Sequence, residues 1–233
     1  MSKLSPSSSE RRSFLTRLRT GLVSFGAMTG VAMAQSKAAP ATSNWEPARH
    51  EKDDWFDKVP GKHRLVFDTT TVDGLGDAFL FANNFFRANK TEYGLDNGDL
   101  AVVIIVRHRS TPMGYNDAMW AKYGKTFATR SKVEDPKTKL APKVNIYNDA
   151  SFGEDLRNRG NTLDSLSKLG VQFGVCAFAT RAASRAIAEA GGGDADAIFK
   201  ELTSNLVNNA RMVPAGIVAV NRAQERGYSL VST

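Results

Sequence analysis

The chain's only cysteine, Cys176, is the strongest candidate for chemistry in the sequence. It ends an apolar run over 171–176 that predicts a buried strand, and a helix is predicted over 180–190. Because the positive end of a helix favours a thiolate, this position is typical of a reactive cysteine. Cysteine is also among the most buried residue types, so a second interpretation stays open, in which Cys176 only packs in the core.

Basic side chains follow the predicted strands and could support a charge on Cys176. Arg107 and His108 come directly after the apolar run 100–106, and Arg181 lies on the helix after Cys176. The carboxyl ends of parallel strands share one edge of a sheet, which is where α/β proteins bind ligands. We therefore expect Arg107, His108 and Arg181 to stabilise charge at Cys176 if the fold brings them close.

A metal site is not predicted. His108 lies between two arginines and is interpreted as a loop residue, with a metal ligand as the alternative. A soft-metal site built from His108, Met113, Met119 and Cys176 is conceivable, but no ligand spacing supports it. No Gly-x-Ser-x-Gly, His-Glu-x-x-His or paired-carboxylate pattern is present, so hydrolase chemistry has no support.

The elements that must position these residues alternate between strand and helix. Asp73 is expected to cap a helix that carries apolar residues three to four positions apart, and Gly170 is expected to end another. Strands are predicted at 64–67, 100–106, 171–176, 211–213 and 228–231, with a further strand at 144–147, and helices at 116–122, 162–169, 180–190, 195–205 and 216–226. This alternation predicts an α/β fold, a three-layer α/β/α sandwich with a mainly parallel sheet.

Residues 1–34 resemble a bacterial twin-arginine signal peptide. Arg11 and Arg12 are followed by Phe-Leu at the appropriate spacing, then by a short uncharged stretch and by the small-x-small cleavage pattern of residues 32–34. A basic amphipathic leader and a membrane anchor are the alternatives, and the short, glycine-containing stretch disfavours the anchor. The resemblance implies export to the periplasm and no membrane attachment after cleavage. No cofactor is predicted, although this route carries folded proteins and so leaves a bound cofactor open.

Residues 35–60 read as an N-terminal arm before a single domain over 61–233. The arm is rich in Ala, Pro, Ser and charge, yet it contains Trp45, Trp55 and Phe56. We expect these rings to pack the arm onto the domain or onto a second subunit, and we expect a homo-oligomer.

The charge balance does not indicate nucleic-acid binding. Of the net charge of +7, residues 1–34 contribute +4, and the remaining residues contribute only +3. No stripe of Lys and Arg interleaved with aromatic residues is present, as binding to a phosphate backbone would need. One cysteine also excludes an internal disulfide.

Two segments near the C-terminus resemble the DsrE/DsrF-like sulfur-relay family. Residues 169–176, Leu-Gly-Val-Gln-Phe-Gly-Val-Cys, resemble its strand and cysteine segment, and residues 212–228 resemble its closing Pro-small-Gly turn, helix and aromatic last strand. The likeness extends over residues 63–231. It implies an α/β/α sandwich that assembles into oligomers, with a persulfide on Cys176.

The chain also departs from this family. Ala177 stands where many members have Gly, His108-Arg109 stands where they have His-Gly, and residues 191–209 read as an inserted helix. The resemblance implies a persulfide carrier or sulfurtransferase component, working with a sulfur donor or acceptor protein. A non-catalytic small-ligand, cofactor-binding or assembly module of the same fold is the alternative, and a thiol redox sensor is a third.

Overall fold

The computed structural model describes residues 46–233. The signal peptide predicted over residues 1–34 and the first part of the arm, including Trp45, lie outside the described residues. No helix within residues 46–233 has the length and apolar character needed to cross a membrane.

Five parallel strands build the central sheet. They are β1 (His63–Thr69), β2 (Leu100–Val106), β3 (Gln172–Cys176), β4 (Ala210–Val213) and β5 (Ser229–Ser232), arranged in the order β4-β3-β2-β1-β5. The central strand β2 is buried along its whole length, as expected for a strand that is covered on both faces. The predicted α/β class with a parallel sheet is therefore confirmed.

Helices cover both faces of the sheet. Within residues 46–233 they are α1 (Trp55–Lys58), α2 (Val72–Tyr93), α3 (Asp117–Ser131), α4 (Leu163–Leu169), α5 (Ala177–Gly191), α6 (Ala195–Ser204) and α7 (Gly216–Gln224). Helices α2 to α6 contribute to a large core on one face, whereas α1 and α7 pack on the other. Alternate residues of β2 point into each core, Ile104 into the first and Ile105 into the second. This arrangement is the predicted three-layer sandwich.

Helix boundaries follow local capping chemistry, and one predicted cap is wrong. The cap of α2 is Thr71, not Asp73: Thr71 has an extended backbone and its hydroxyl accepts from the N–H of Gly74 at 2.9 Å, whereas Asp73 already lies inside the first turn. Gly170 ends α4 with a φ of 100°, a conformation that favours glycine, so that predicted cap is confirmed.

The strand predicted at 144–147 is absent from the structure, where these residues form turns. The backbone N–H of Asn145 donates to Asp117 Oδ1, and its side-chain amide donates to the carbonyls of Met113 and Tyr115. Because the polar groups of Asn145 are bonded to an aspartate and to a loop rather than to a neighbouring strand, no sheet pairing forms here.

The segment of residues 46–59, called the N-terminal segment below, packs on the α7 face of the sheet. Phe56 is fully buried, Trp55 stacks on it at 3.8 Å, and the Tyr228 hydroxyl donates to the Phe56 carbonyl at 2.8 Å. Arg226 pairs with Asp57 at 3.2 Å. Of the two alternatives for the arm, packing onto the domain therefore describes Trp55 and Phe56.

Candidate functional site

The carboxyl ends of β1, β2 and β3 bring three chemically active side chains to one edge of the sheet. Val106 pairs with Val175, so Arg107 and Cys176 occupy the next positions along adjacent strands. Asp68 lies near the end of β1, the strand on the other side of β2. Asp68, Arg107 and Cys176 are called the edge site below.

Arg107 and Asp68 form a bidentate ion pair. Arg107 Nε donates to Asp68 Oδ1 at 2.6 Å, and Nη2 donates to Oδ2 at 2.7 Å. The Asp68 side chain is 8% exposed and that of Arg107 is 25% exposed. The hydrogen bonds that Arg107 donates to Asp68 raise the pKa of Arg107 above its ordinary value, so the guanidinium stays charged. The two-point contact fixes the plane of the cation beside Cys176.

Gly216, the first residue of α7, makes room for Arg107. A Cβ atom at Gly216 would lie 2.5 Å from Arg107 Cβ and 2.7 Å from Arg107 Cδ, closer than real side-chain contacts allow. The Pro-small-Gly turn noted in the sequence therefore has a physical purpose in this fold. It lets α7 begin directly against the stem of Arg107.

Cys176 is a free thiol at the junction of β3 and α5. It is 6% exposed and is the N-cap residue of α5, which begins at Ala177, three residues earlier than predicted. Its carbonyl accepts from the Thr180 hydroxyl at 2.9 Å, and that hydroxyl in turn accepts from the Tyr115 hydroxyl at 2.8 Å. These bonds anchor the backbone at the junction.

Tyr115 and Arg107 are two groups whose pKa values would respond to a charge on Cys176. Burial is the main cause of the raised pKa of Tyr115, and negative charge at Cys176 raises it further. The same charge adds to the effect of Asp68 in raising the pKa of Arg107. Arg107 occupies the position next to Cys176 on the neighbouring strand, and its role in stabilising a thiolate stays a prediction.

His108 does not join the edge site. It is exposed and has a left-handed backbone with a φ of 56°, which is uncommon outside glycine. Its side chain lines a separate small cavity between α3 and α5, and Cys176 is not among the residues that line this cavity. The described residues therefore show no contact through which His108 would support a charge on Cys176.

Arg181 also lies elsewhere, although it is on the helix that follows Cys176. Its guanidinium sits over the Phe199 ring at 4.0 Å and pairs with Asp196 at 3.6 Å. Both partners belong to α6, so Arg181 joins α5 to α6 and does not face the edge site.

Nothing in the described part of the chain forms a metal centre. No group of three or more His, Cys, Asp or Glu within residues 46–233 could hold a metal ion. Met113 and Met119 are buried in the larger hydrophobic core, so the structure does not support the alternative of a soft-metal site that includes them.

Two features of the edge escaped the sequence analysis, the Asp68 partnership and a pair of buried hydroxyls beneath it. The Ser110 hydroxyl accepts from the Arg107 N–H at 3.0 Å and lies 3.1 Å from Thr69 Oγ1. These bonds fasten the turn after β2 to the end of β1. In the sequence, these contacts are indicated only by the polar pair Asp68-Thr69 at the end of a predicted strand. That pair predicts a contact with Arg107 and Ser110 only when β1 and β2 are known to be neighbours.

Comparisons with known proteins leave the family open. No protein-family model matches the chain, and no curated protein matches it significantly. Among solved structures it is similar to a protein of unknown function from Methanobacterium thermoautotrophicum, with a TM-score of 0.36 and 14% identity, over 74% of this chain and 100% of that one. The function is therefore argued from the site itself.

Proposed function

We propose that this protein carries sulfane sulfur as a persulfide on Cys176, in the manner of the DsrE/DsrF-like proteins that its sequence resembles. One observation carries the proposal: the chain's only cysteine is the N-cap residue of a 15-residue helix and lies beside Arg107, whose guanidinium is oriented by Asp68. A helix N-terminus and a nearby cation both favour a thiolate, which is the nucleophile in sulfur transfer.

The chemistry needs no external oxidant or reductant. The Cys176 thiolate attacks the outer sulfur of a donor persulfide, the donor's S–S bond breaks, and the donor leaves as a thiolate. An acceptor thiolate then attacks the outer sulfur on Cys176, which returns to the thiolate form. Arg107 would hold the negative charge in each state, since only two of its N–H groups are engaged by Asp68.

Access to the sulfur requires a partner or a local movement, because Cys176 is only 6% exposed. Large apolar side chains at the first turns of α5 and α7 are exposed nearby, Phe178 at 71% and Ile217 at 58%. Exposed apolar residues of this kind favour protein contacts. We expect the donor or acceptor protein to dock over them.

The predicted homo-oligomer would use the same residues. Trp55 and Phe56 are already buried within one chain, so they offer little surface to a second copy. Light scattering of the chain and of its Phe178→Ser and Ile217→Ser variants tests this. A monomer mass for the unaltered chain would contradict the oligomer.

Intact-mass analysis tests the persulfide directly. The purified chain is incubated with a low-molecular-weight persulfide and measured with and without reductant, and a reductant-sensitive gain of one sulfur atom is expected. Cys176→Ser should show no gain, and it is an unambiguous control because the chain has no other cysteine. Failure of the native chain to gain sulfur, together with alkylation only after denaturation, would contradict the carrier.

The second candidate is a non-catalytic binding or assembly module, and the burial of Cys176 favours it. A packed thiol would resist both sulfur transfer and alkylation in the native state. The same mass measurement therefore separates the two functions.

We also propose that the protein is exported by the twin-arginine route. The support is the Arg11-Arg12 pair and the cleavage pattern at residues 32–34. Changing both arginines to lysine should leave the precursor in the cytoplasm, and the exported form should begin at Gln35. Continued export of the lysine variant through the general secretory route would contradict the proposal.

A further inference from the structure

We propose that the small cavity between α3, α5 and the turn after β2 binds a free tetrahedral oxyanion such as thiosulfate, sulfate or phosphate. The cavity has a volume of about 160 Å³ and is called the hydroxyl cavity below. Its lining residues are His108, Arg109, Thr111, Pro112, Arg130, Ser131, Ala179 and Ala183. The inference does not depend on Cys176 carrying sulfur.

Two buried hydroxyl groups in this lining have no hydrogen-bond partner among residues 46–233. Thr111 is 1% exposed and Ser131 is 4% exposed, yet neither Thr111 Oγ1 nor Ser131 Oγ is paired. Buried polar groups in folded proteins are almost always hydrogen-bonded, because leaving one unpaired is costly. Thr111 and Ser131 both line the same cavity, so one ligand with several acceptor oxygens would satisfy both hydroxyls once the side chains turn toward it.

The charge of the lining specifies the sign of that ligand. Arg109 and Arg130 contribute two guanidinium groups, and neither has a carboxylate within 4.0 Å in the described part of the chain. No acidic side chain from residues 46–233 lines the cavity. Arg107, in contrast, already forms a bidentate ion pair with Asp68. Unpaired arginines beside hydroxyl donors are the groups that recognise oxyanions.

The volume limits the ligand to a small ion. A cavity of about 160 Å³ is well below the roughly 300–1,000 Å³ of sites for drug-sized molecules. At about 30 Å³ per water it holds the equivalent of about five water molecules, which suits one tetrahedral oxyanion. Ala179 and Ala183 leave this space open, since larger side chains on that face of α5 would fill it.

The backbone holds one wall of the hydroxyl cavity in a fixed shape. His108 keeps its left-handed φ of 56° because the Arg109 N–H donates to the Thr70 carbonyl at 3.0 Å. The Ser110 N–H donates to the Arg107 carbonyl at 3.2 Å on the same turn. Such conformations persist where the surroundings enforce them, and they are concentrated at functional sites. A wall fixed in advance lowers the entropic cost of binding.

Isothermal titration calorimetry of the purified chain tests the proposal. Thiosulfate, sulfate and phosphate are titrated separately at constant ionic strength set with chloride, and glycerol 3-phosphate distinguishes a free ion from a phosphoryl group on a larger molecule. We expect a single site for at least one free oxyanion and at least tenfold weaker binding by Thr111→Val and by Arg130→Gln. Thr91→Val and Arg87→Gln, the same changes at exposed positions on α2, should bind as the unaltered chain does.

Thermal unfolding with and without anion shows whether the Thr111 hydroxyl binds the anion or only supports the fold. Thr111→Val removes an unpartnered oxygen and keeps the side-chain shape, so the melting temperature without anion should stay the same or rise. Added oxyanion should then raise the melting temperature of the unaltered chain but not that of Thr111→Val. Cys176→Ser should bind the anion normally, which separates this inference from the persulfide proposal. Oxyanion binding no tighter than chloride, or equal weakening in the exposed control variants, would overturn it.

Discussion

Replacing Asp68 with asparagine should make Cys176 more reactive while making the fold less stable. Asp68 holds Arg107 through two short hydrogen bonds, and its negative charge opposes a second negative charge on Cys176. The Asn side chain keeps the shape and one acceptor oxygen but removes the charge. If Asp68 only supported the fold, its loss would expose the thiol without changing its charge, and the faster reaction would then persist at a pH where the thiol is fully ionised.

The size of the effect follows from the sheet. Asp68 and Cys176 lie on β1 and β3, which are separated by β2, and Cys176 is two residues further along than the position level with Asp68, so their backbones are roughly 12 Å apart at the usual strand spacing and rise. At an effective dielectric constant of about 20, two unit charges at that distance repel by about 1.4 kcal/mol, about a tenfold change in thiolate population. Loss of the charge-assisted pair should cost about 1–3 kcal/mol of folding stability, toward the lower end because the Arg107 side chain is 25% exposed.

Alkylation kinetics with a small reagent at neutral pH provide the assay. Asp68→Asn should react up to about tenfold faster than the unaltered chain, and because both groups are buried the difference should change little with added salt. Glu92→Gln, which removes one exposed carboxylate from the far end of α2, should not change the rate. At strongly alkaline pH, where the thiol is ionised in both proteins, the rates should converge if charge is the cause. An unchanged or slower rate at neutral pH would refute the reasoning, and a difference that persists at alkaline pH would indicate loosening of the fold instead.

The other predictions concern packing and pH. Gly216→Ala should lower the free energy of unfolding by about 1–3 kcal/mol, because the new Cβ overlaps Arg107, whereas Gly191→Ala, which meets nothing within 4 Å, should be neutral or stabilise by up to about 1 kcal/mol in urea titrations. Burial raises the pKa of Tyr228 to about 12, so the folded state holds its phenol proton beyond the unfolded value of about 10. Stability should therefore fall as the pH rises from about 10 to about 12, and ultraviolet absorbance should show Tyr228 ionising together with unfolding. Full ionisation of Tyr228 near pH 10 in a protein that is still folded would contradict this.

The central strands were predictable because a strand that is buried on both faces is an unbroken run of apolar residues in the sequence. The unbroken apolar run of β2 and the glycine after α4 each have one simple physical interpretation, and both predictions are confirmed. The segment 144–147 has similar composition, but Asn145 bonds to a distant aspartate and to carbonyls of the loop after β2. These hydrogen-bond partners are distant in the sequence, so the residue pattern of 144–147 alone does not predict that the segment forms turns.

The edge site was predictable only in part. The placement of Arg107 beside Cys176 follows once β2 and β3 are neighbours, but strand order is a property of the whole chain. The fates of His108 and Arg181 depend on side-chain direction: one lines a separate cavity, and the other is drawn to Phe199 and Asp196. The Asp68 pair and the unpaired hydroxyls likewise arise from contacts between distant segments.

The packing of the N-terminal segment has a consequence for how the protein folds. The hydrogen bond from Tyr228 to Phe56 joins residues 172 positions apart, and the bond from Arg226 to Asp57 spans 169 positions. Contacts between residues so far apart in the sequence form late in folding, because the intervening chain must lose conformational entropy before the contact forms. Such contacts therefore slow folding. The second core also needs residues from both α1 and α7, so a nascent chain still lacking its last forty residues has that face of the sheet uncovered. Chaperones that bind exposed apolar strands would meet this chain throughout its synthesis.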